Sequence, residues 1–175
     1  MQTFKLFMAI DHFVSRFWRV VSIIAFGITL LFIYRGLPDP TAVHFGETGR
    51  GDGFLPKEEV FYLMAGIVTV FNVLVLLLIK NLEKVPSFLK LSIFSIFASK
   101  GEKIIRSTVL NWAHFLPAAF NTYLIFVLRA LLLMNDERTY DQDFSYILWL
   151  GYGLILAWLL YFPIRLVASS DSKEE

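Results

Sequence analysis

The sequence contains no cysteine among its 175 residues. This absence excludes disulfide bonds, thiolate metal sites and a cysteine nucleophile, and it removes the usual evidence about redox compartment. Charge is scarce as well: charged residues make up 18% of the chain, hydrophobic residues make up 57%, and the mean hydropathy is +0.62. A chain this apolar is not an ordinary soluble domain, and we expect to find it in a membrane.

The formal net charge is only +1, and basic residues are not concentrated into a patch that would bind a phosphate backbone. We therefore expect no nucleic-acid partner. Enzyme motifs are missing too, because the sequence has no phosphate-binding loop, no dinucleotide fingerprint and no serine elbow. The three histidines, His12, His44 and His114, lie at three different predicted depths, which does not suit a catalytic triad. We predict that the protein is not an enzyme and uses no cofactor.

Four apolar segments predict transmembrane helices, since a span needs about 20 mostly apolar residues to cross about 30 Å of hydrocarbon. The first is marginal, because Arg19 and Arg35 bracket its most apolar part, and we expect both guanidinium groups to reach the membrane interfaces. The predicted fold is an all-α, four-helix transmembrane bundle, forming a single integral membrane domain over 1–175. The spans are 17–36, 60–79, 112–133 and 146–166.

Basic residues concentrate before the first span, between the second and third spans, and in the tail. By the positive-inside rule, we expect both termini in the cytoplasm and the loop 37–59 on the outer side. Within the cytoplasmic connection, the segment 86–106 has polar and apolar residues at a helical period, which would place them on opposite sides of a helix. It predicts an amphipathic helix on the membrane surface, and the alternative is a docking surface for a partner.

The loop 37–59 has the densest turn-forming sequence in the chain. Pro38 and Pro40 fix their own φ angles and bias the preceding residues toward extended conformations. Glycines follow at positions 46, 49, 51 and 53, which predicts turns, some with positive φ. We expect an ordered loop that caps the bundle and is either structural or partner-binding. Its motif residues are Pro38, Asp39, Pro40, His44, Phe45, Gly49, Asp52, Gly53 and Phe54.

These motif residues, with Leu37 before them and Lys57 after them, resemble the loop of a bacterial membrane family called domain of unknown function 1648. That family is similar to the immunity protein that protects sporulating bacilli against their own secreted toxin. The resemblance implies a multi-pass protein of the bacterial inner membrane. It implies no particular activity, because most members of the family have none that is known.

His44 is the only histidine of the loop, and beside Asp39, Glu47 and Asp52 it could bind a cation or respond to pH. A zinc or copper site normally uses several strong ligands at a recognisable spacing. One histidine with scattered acids does not match that pattern. We predict no metal site, and we expect His44 to hydrogen-bond within the loop.

The third span carries a polar face made of His114, Asn121, Thr122 and Arg129, whose spacing places them on roughly one side of a helix. An arginine inside a span is costly unless it reaches the interface or finds a partner. We expect Arg129 to reach the outer interface, where Asp136 or Asp143 would pair with it. The alternative is a polar lining for an ion or proton path, although no predicted span contains the acidic residue that a proton relay normally includes.

Four further residues inside the predicted spans are interpreted as packing devices. Asn72 would hydrogen-bond between helices, Pro117 would kink its helix, and Gly151 and Gly153 would allow close helix approach. The expected function is therefore non-enzymatic: an accessory or interaction subunit of a membrane assembly, or a small sensor or immunity-like protein. Its partners would be the lipid bilayer and other membrane protein subunits. The alternative is a transporter or ligand sensor that uses the polar face of the third span.

Overall fold

The structure is a computed structural model that describes residues 2–47, 49–90, 101–139 and 142–168. Helix α1 is followed by a β-hairpin of strands β1 and β2, and then by helix α2, a short 3₁₀ helix, and helices α3 and α4. The bounds are α1 Gln2–Gly36, β1 Thr41–Phe45, β2 Gly51–Leu55, α2 Lys57–Glu83, the 3₁₀ helix Phe88–Lys90, α3 Glu102–Met134 and α4 Ser145–Ala168.

In the described part of the chain, four helical stretches are long and apolar enough to cross a membrane. They are Ala9–Gly36, Lys57–Glu83, Glu102–Met134 and Ser145–Ala168. Large apolar side chains are exposed along α1, α2 and α4, as contact with lipid requires. The predicted four-helix transmembrane bundle is confirmed, and the protein is a multi-pass membrane protein.

Helices α1 and α3 both begin earlier than the predicted spans. The first starts at Gln2 instead of near residue 17, and the third starts at Glu102 instead of near residue 112. At the two ends of the predicted amphipathic segment 86–106, Phe88–Lys90 is a 3₁₀ helix and Glu102 already begins α3. The rest of that prediction, at 91–100, lies outside the described residues.

Tertiary hydrogen bonds explain the early start of α3. The carboxylate of Glu102 accepts bonds from the Ser87 hydroxyl and the Phe88 backbone N–H, both at 2.8 Å. One turn later, the Arg106 guanidinium donates to the carbonyl of Val85 at 2.7 Å and to that of Glu83. These charged residues therefore tie the first turns of α3 to the end of α2.

Helix α3 lies at the centre of the bundle and packs against each of the other three long helices. The largest buried cluster joins α1, α2 and α3 near the hairpin, and a smaller cluster lies at the opposite end, between the 3₁₀ turn, α3 and α4. The larger cluster consists of Phe26, Leu30, Ile33, Leu37, Val60, Val68, Leu124 and Leu128, and the smaller one of Phe88, Ile105, Val109 and Leu166.

Two tryptophans join α3 to α4 through a reciprocal contact. The rings of Trp112 and Trp158 stack with their centroids 4.7 Å apart and an interplanar angle of 6°. The indole N–H of each residue donates to the backbone carbonyl of the other, at 3.0 Å and 2.9 Å. A buried indole N–H needs an acceptor, so each tryptophan satisfies the other while their rings pack together.

The start of α4 is capped from the preceding loop. The Asp143 carboxylate accepts a bond from the Ser145 backbone N–H at 2.8 Å and another from the Ser145 hydroxyl at 3.0 Å. These bonds hold the pKa of Asp143 below its usual value, because they favour the charged carboxylate. A negative charge at this position also complements the dipole at the helix N-terminus.

Of the two glycines predicted to permit close packing on α4, one lies at such a contact. A Cβ atom on Gly151 would lie 2.4 Å from the Tyr123 ring of α3, whereas a Cβ atom on Gly153 would meet nothing within 4 Å. Gly151 thus permits the close approach of α3 and α4, and Gly153 faces open space.

Gly151→Ala should lower the free energy of unfolding by about 1–3 kcal/mol, because the added methyl group forces the Tyr123 ring to move within a packed interface. Gly153→Ala is the matched control and should be neutral or slightly stabilising, since alanine favours the helix. Thermal unfolding of both variants in the same detergent measures the difference. Equal stability of the two variants would contradict the helix contact described above.

Candidate functional site

The loop between α1 and α2 is ordered as an antiparallel β-hairpin, which the sequence analysis did not predict. Strand β1 pairs with β2 in the register Thr41↔Leu55, Ala42↔Phe54, His44↔Gly53 and Phe45↔Gly51, with irregularities on either side of His44. The connecting turn is closed by a bond from the Gly46 N–H to the Arg50 carbonyl at 3.0 Å. Gly49 in this turn has a φ of 74°, as a tight reversal of the chain requires.

Two of the four hairpin glycines serve the strand pairing and not a turn. Gly51 and Gly53 lie in β2, where a Cβ atom would come within 2.6 Å of the Ala42 Cβ and 2.9 Å of the His44 Cβ, respectively. The prediction that they form turns was wrong. Their lack of a side chain lets the two strands approach closely at the irregular positions.

Asn135, the residue that ends α3, anchors the hairpin to the bundle. Its side-chain oxygen accepts from the Ala42 backbone N–H at 2.8 Å, and its amide nitrogen donates to the Ala42 carbonyl at 2.9 Å. The same nitrogen donates to the Leu131 carbonyl at 2.9 Å, which caps α3. Asn135 was not among the predicted site residues, although an asparagine directly after an apolar helical run is typical of a helix end.

The Pro38-Asp39-Pro40 segment makes the bend that links α1 to the hairpin. It is bent and not extended as predicted, because the Thr41 hydroxyl donates to the Pro38 carbonyl at 2.7 Å. The Asp39 carboxylate accepts from the Lys57 backbone N–H at 3.3 Å, at the first residue of α2. Asp39 therefore lies beside the N-terminus of α2 and away from any shared site with His44.

The structure brings together His44 and Asp52 from the predicted loop motif. His44 Nδ1 and Asp52 Oδ1 form a hydrogen bond, and the two side chains are 74% and 53% exposed. Beside this pair Phe54 is also exposed, whereas Phe45 is half-buried. Within the described ranges, no three His, Asp or Glu side chains come together as a metal site requires.

A cleft of about 660 Å³ separates the hairpin from the connection between α3 and α4. One wall is largely apolar and comes from the hairpin and the bend before it, and the other wall is polar and comes from the residues after α3. The apolar wall includes Pro38, Pro40, Phe45 and Phe54. The polar wall includes Asn135, Asp136, Glu137 and Arg138.

Inside the bundle, Asn121 joins three helices through its side-chain amide. It accepts from the Asn72 amide of α2 at 2.8 Å and donates to the Ser22 hydroxyl of α1 at 3.2 Å. Next to it, the Thr122 hydroxyl accepts from the Trp18 indole N–H at 3.3 Å. Both predicted polar positions are thus bonded by side chains of neighbouring helices.

The other two residues of the predicted polar face behave differently from each other. His114 is buried, and its Nδ1 accepts from the Arg19 guanidinium at 2.9 Å. Arg19 therefore has a partner on α3 at this end of the bundle. Arg129 is exposed and forms no ion pair with Asp136 or Asp143 in the described part of the chain.

The polar contacts do not extend across the bundle. Beyond Asn121, in the half of the bundle nearest the hairpin, the interior is filled by apolar side chains of α1 and α3. They include Phe26, Leu30 and Ile33 on α1 and Leu124 and Leu128 on α3, all of them buried. The described structure therefore has no continuous polar path from one end of the bundle to the other.

Residues 20–69 match the family model described as Domain of unknown function (DUF1648). Over these residues the chain is similar to that family. The match covers the second half of α1, the whole hairpin and the first half of α2, so the resemblance that the loop motif predicted is confirmed. No curated protein and no solved structure matches the chain. The implied kinship with a toxin-immunity protein stays a prediction.

Asn135→Ala should release the hairpin from α3, because it leaves the buried N–H and C=O groups of Ala42 without partners. We expect a loss of about 1–3 kcal/mol in stability and faster hydrogen exchange in peptides that cover 41–55. Asn81→Ala, at an exposed asparagine near the end of α2, is the control. Unchanged exchange in the hairpin of the Asn135 variant would show that the anchor lies elsewhere.

Proposed function

We propose that this chain is a non-enzymatic accessory protein of a membrane assembly, and that its DUF1648 hairpin recognises a partner protein. The observation that supports this proposal is the asymmetry of the hairpin. Its Ala42 backbone is fixed to the bundle by Asn135, while the His44–Asp52 pair is exposed and Phe54 is exposed on the wall of the neighbouring cleft. A rigidly held element with exposed specific groups is suited to recognition.

A purely structural role accounts poorly for the exposed groups. An exposed polar contact such as His44–Asp52 contributes little to folding stability. Phe54 leaves an aromatic ring exposed on the cleft wall. Aromatic side chains rimmed by polar groups are typical of the centres of protein interfaces, and the neighbouring cleft offers a concave surface for a partner.

The closed polar face of α3 supports this function over transport. Asn121, Thr122 and His114 are bonded by side chains of α1 and α2, and apolar residues fill the half of the bundle beyond them. A transport path would need polar groups that face water along the whole bundle. The charge distribution further supports cytoplasmic termini and a hairpin outside the cytoplasm, in the inner membrane of a bacterium.

A photoreactive amino acid in place of Phe54 tests the proposal in living cells. Phe54 is 55% exposed, and Tyr146, at the hairpin end of α4, is 57% exposed and provides a matched control position. We expect a discrete protein adduct from position 54 and a weaker or absent one from position 146. The adduct should disappear in a His44→Ala, Asp52→Asn background, because the partner loses its charged contacts.

Thermal unfolding of that double variant should match the parent, since the exposed pair contributes little to the fold. No adduct from position 54, or an adduct that survives the double substitution unchanged, would contradict recognition through these side chains. Equal adducts from both positions would indicate contact with the bundle instead of the hairpin.

A further inference from the structure

Charged and aromatic side chains of three helices share one level at the end of the bundle opposite the hairpin, which we call the far side. A span takes about 20 residues, so the far boundary can be counted from the helix ends near the hairpin. About 20 residues from Tyr34, Met134 and Ser145, the far boundary falls close to Ser15 on α1, His114 on α3 and Arg165 on α4. This is the depth at which the phosphates and glycerol groups of a lipid leaflet begin.

Two arginines of α1 lie near this boundary without a carboxylate partner. Arg16 donates to His12 Nδ1 at 2.7 Å, and Arg19 donates to His114 Nδ1 at 2.9 Å. Both arginines are half-buried, and neither takes part in an ion pair with a described residue. Because they are one turn apart on the same helix, their like charges repel each other.

His114 adds an unsatisfied donor to the same cluster. Its Nδ1 accepts a bond from Arg19, so the ring proton is assigned to Nε2. The residue is 4% exposed, and Nε2 is buried without a hydrogen-bond partner among the described residues. The cluster thus combines two cationic groups and a buried N–H, and it lacks an acceptor that carries negative charge.

The nearest carboxylate on α1 is already engaged. Asp11 Oδ2 pairs with Arg165 of α4 at 2.6 Å and accepts from the Tyr161 hydroxyl at 3.3 Å. Asp11 neutralises Arg165 and leaves the charges of Arg16 and Arg19 uncompensated within the described chain.

An apolar slot of about 130 Å³ adjoins the cluster between α1, α3 and α4. Trp18 and Phe115, which line it, directly neighbour Arg19 and His114 in the sequence, and Tyr161 lines it as well. An apolar cavity of this size stays dry and accepts a hydrocarbon group. The slot therefore fits part of an acyl chain, while the arginines beside it fit an oxyanion.

We propose that Arg16, Arg19 and His114 bind the phosphate of an anionic phospholipid whose acyl chain enters the slot lined by Trp18, Phe115 and Tyr161. Guanidinium groups bind phosphate through charge-assisted hydrogen bonds, and basic pockets between helices are suited to anionic headgroups. The lipid supplies the negative acceptor that the cluster lacks. This proposal does not depend on partner recognition by the hairpin.

Native mass spectrometry of the full-length protein, titrated with phosphatidylglycerol or phosphatidylcholine, tests the site. We expect the anionic lipid to bind more tightly, and Arg19→Gln to weaken its binding about tenfold through loss of a charge-assisted contact. Arg129→Gln is the matched control, because it removes an exposed arginine of α3 near the hairpin. Its affinity for phosphatidylglycerol should equal that of the parent.

Ala157→Phe provides a second variant that keeps both arginines but fills the slot, and it should also weaken phosphatidylglycerol binding. Inorganic phosphate should not compete at millimolar concentration, because it lacks the acyl chain. Equal binding of both lipids, equal losses in the Arg19 and Arg129 variants, or full competition by inorganic phosphate would each overturn the proposal.

Discussion

The absence of water in the hydrocarbon region is the constraint on which the arrangement of the bundle depends. A polar side chain there must be bonded by protein, since nothing else at that depth offers a hydrogen bond. Helix α3 carries Asn121 and Thr122 at that depth, and its neighbours supply a partner to both. The central position of α3 follows, because a helix with polar groups on its face requires helices against that face.

The sequence predicts the four helices well, because long apolar runs leave few alternatives. It predicts the helix ends poorly. Charged residues such as Asp11 and Arg106 look like span boundaries in the sequence, yet tertiary partners keep them within continuous helices. Those partners lie far away along the chain, so no local pattern reveals them.

The candidate site was predicted in part. The motif identified the DUF1648 loop and its exposed residues, but not its strands, because Gly51 and Gly53 lower the strand propensity of β2. The close approach that these glycines allow becomes visible only when both strands are placed. Helical periodicity likewise put His114, Asn121 and Thr122 on one side of α3, but it could not show that Arg19, Asn72 and Trp18 lie opposite them.

The reciprocal contact of Trp112 and Trp158 bears on how this protein can change shape. Sliding or rotating α4 against α3 would break both indole hydrogen bonds together and unstack the rings. These two helices are therefore coupled as one rigid body. The hairpin is bonded to the end of α3, so a partner bound to the hairpin would be linked to α4 through α3 and this tryptophan pair.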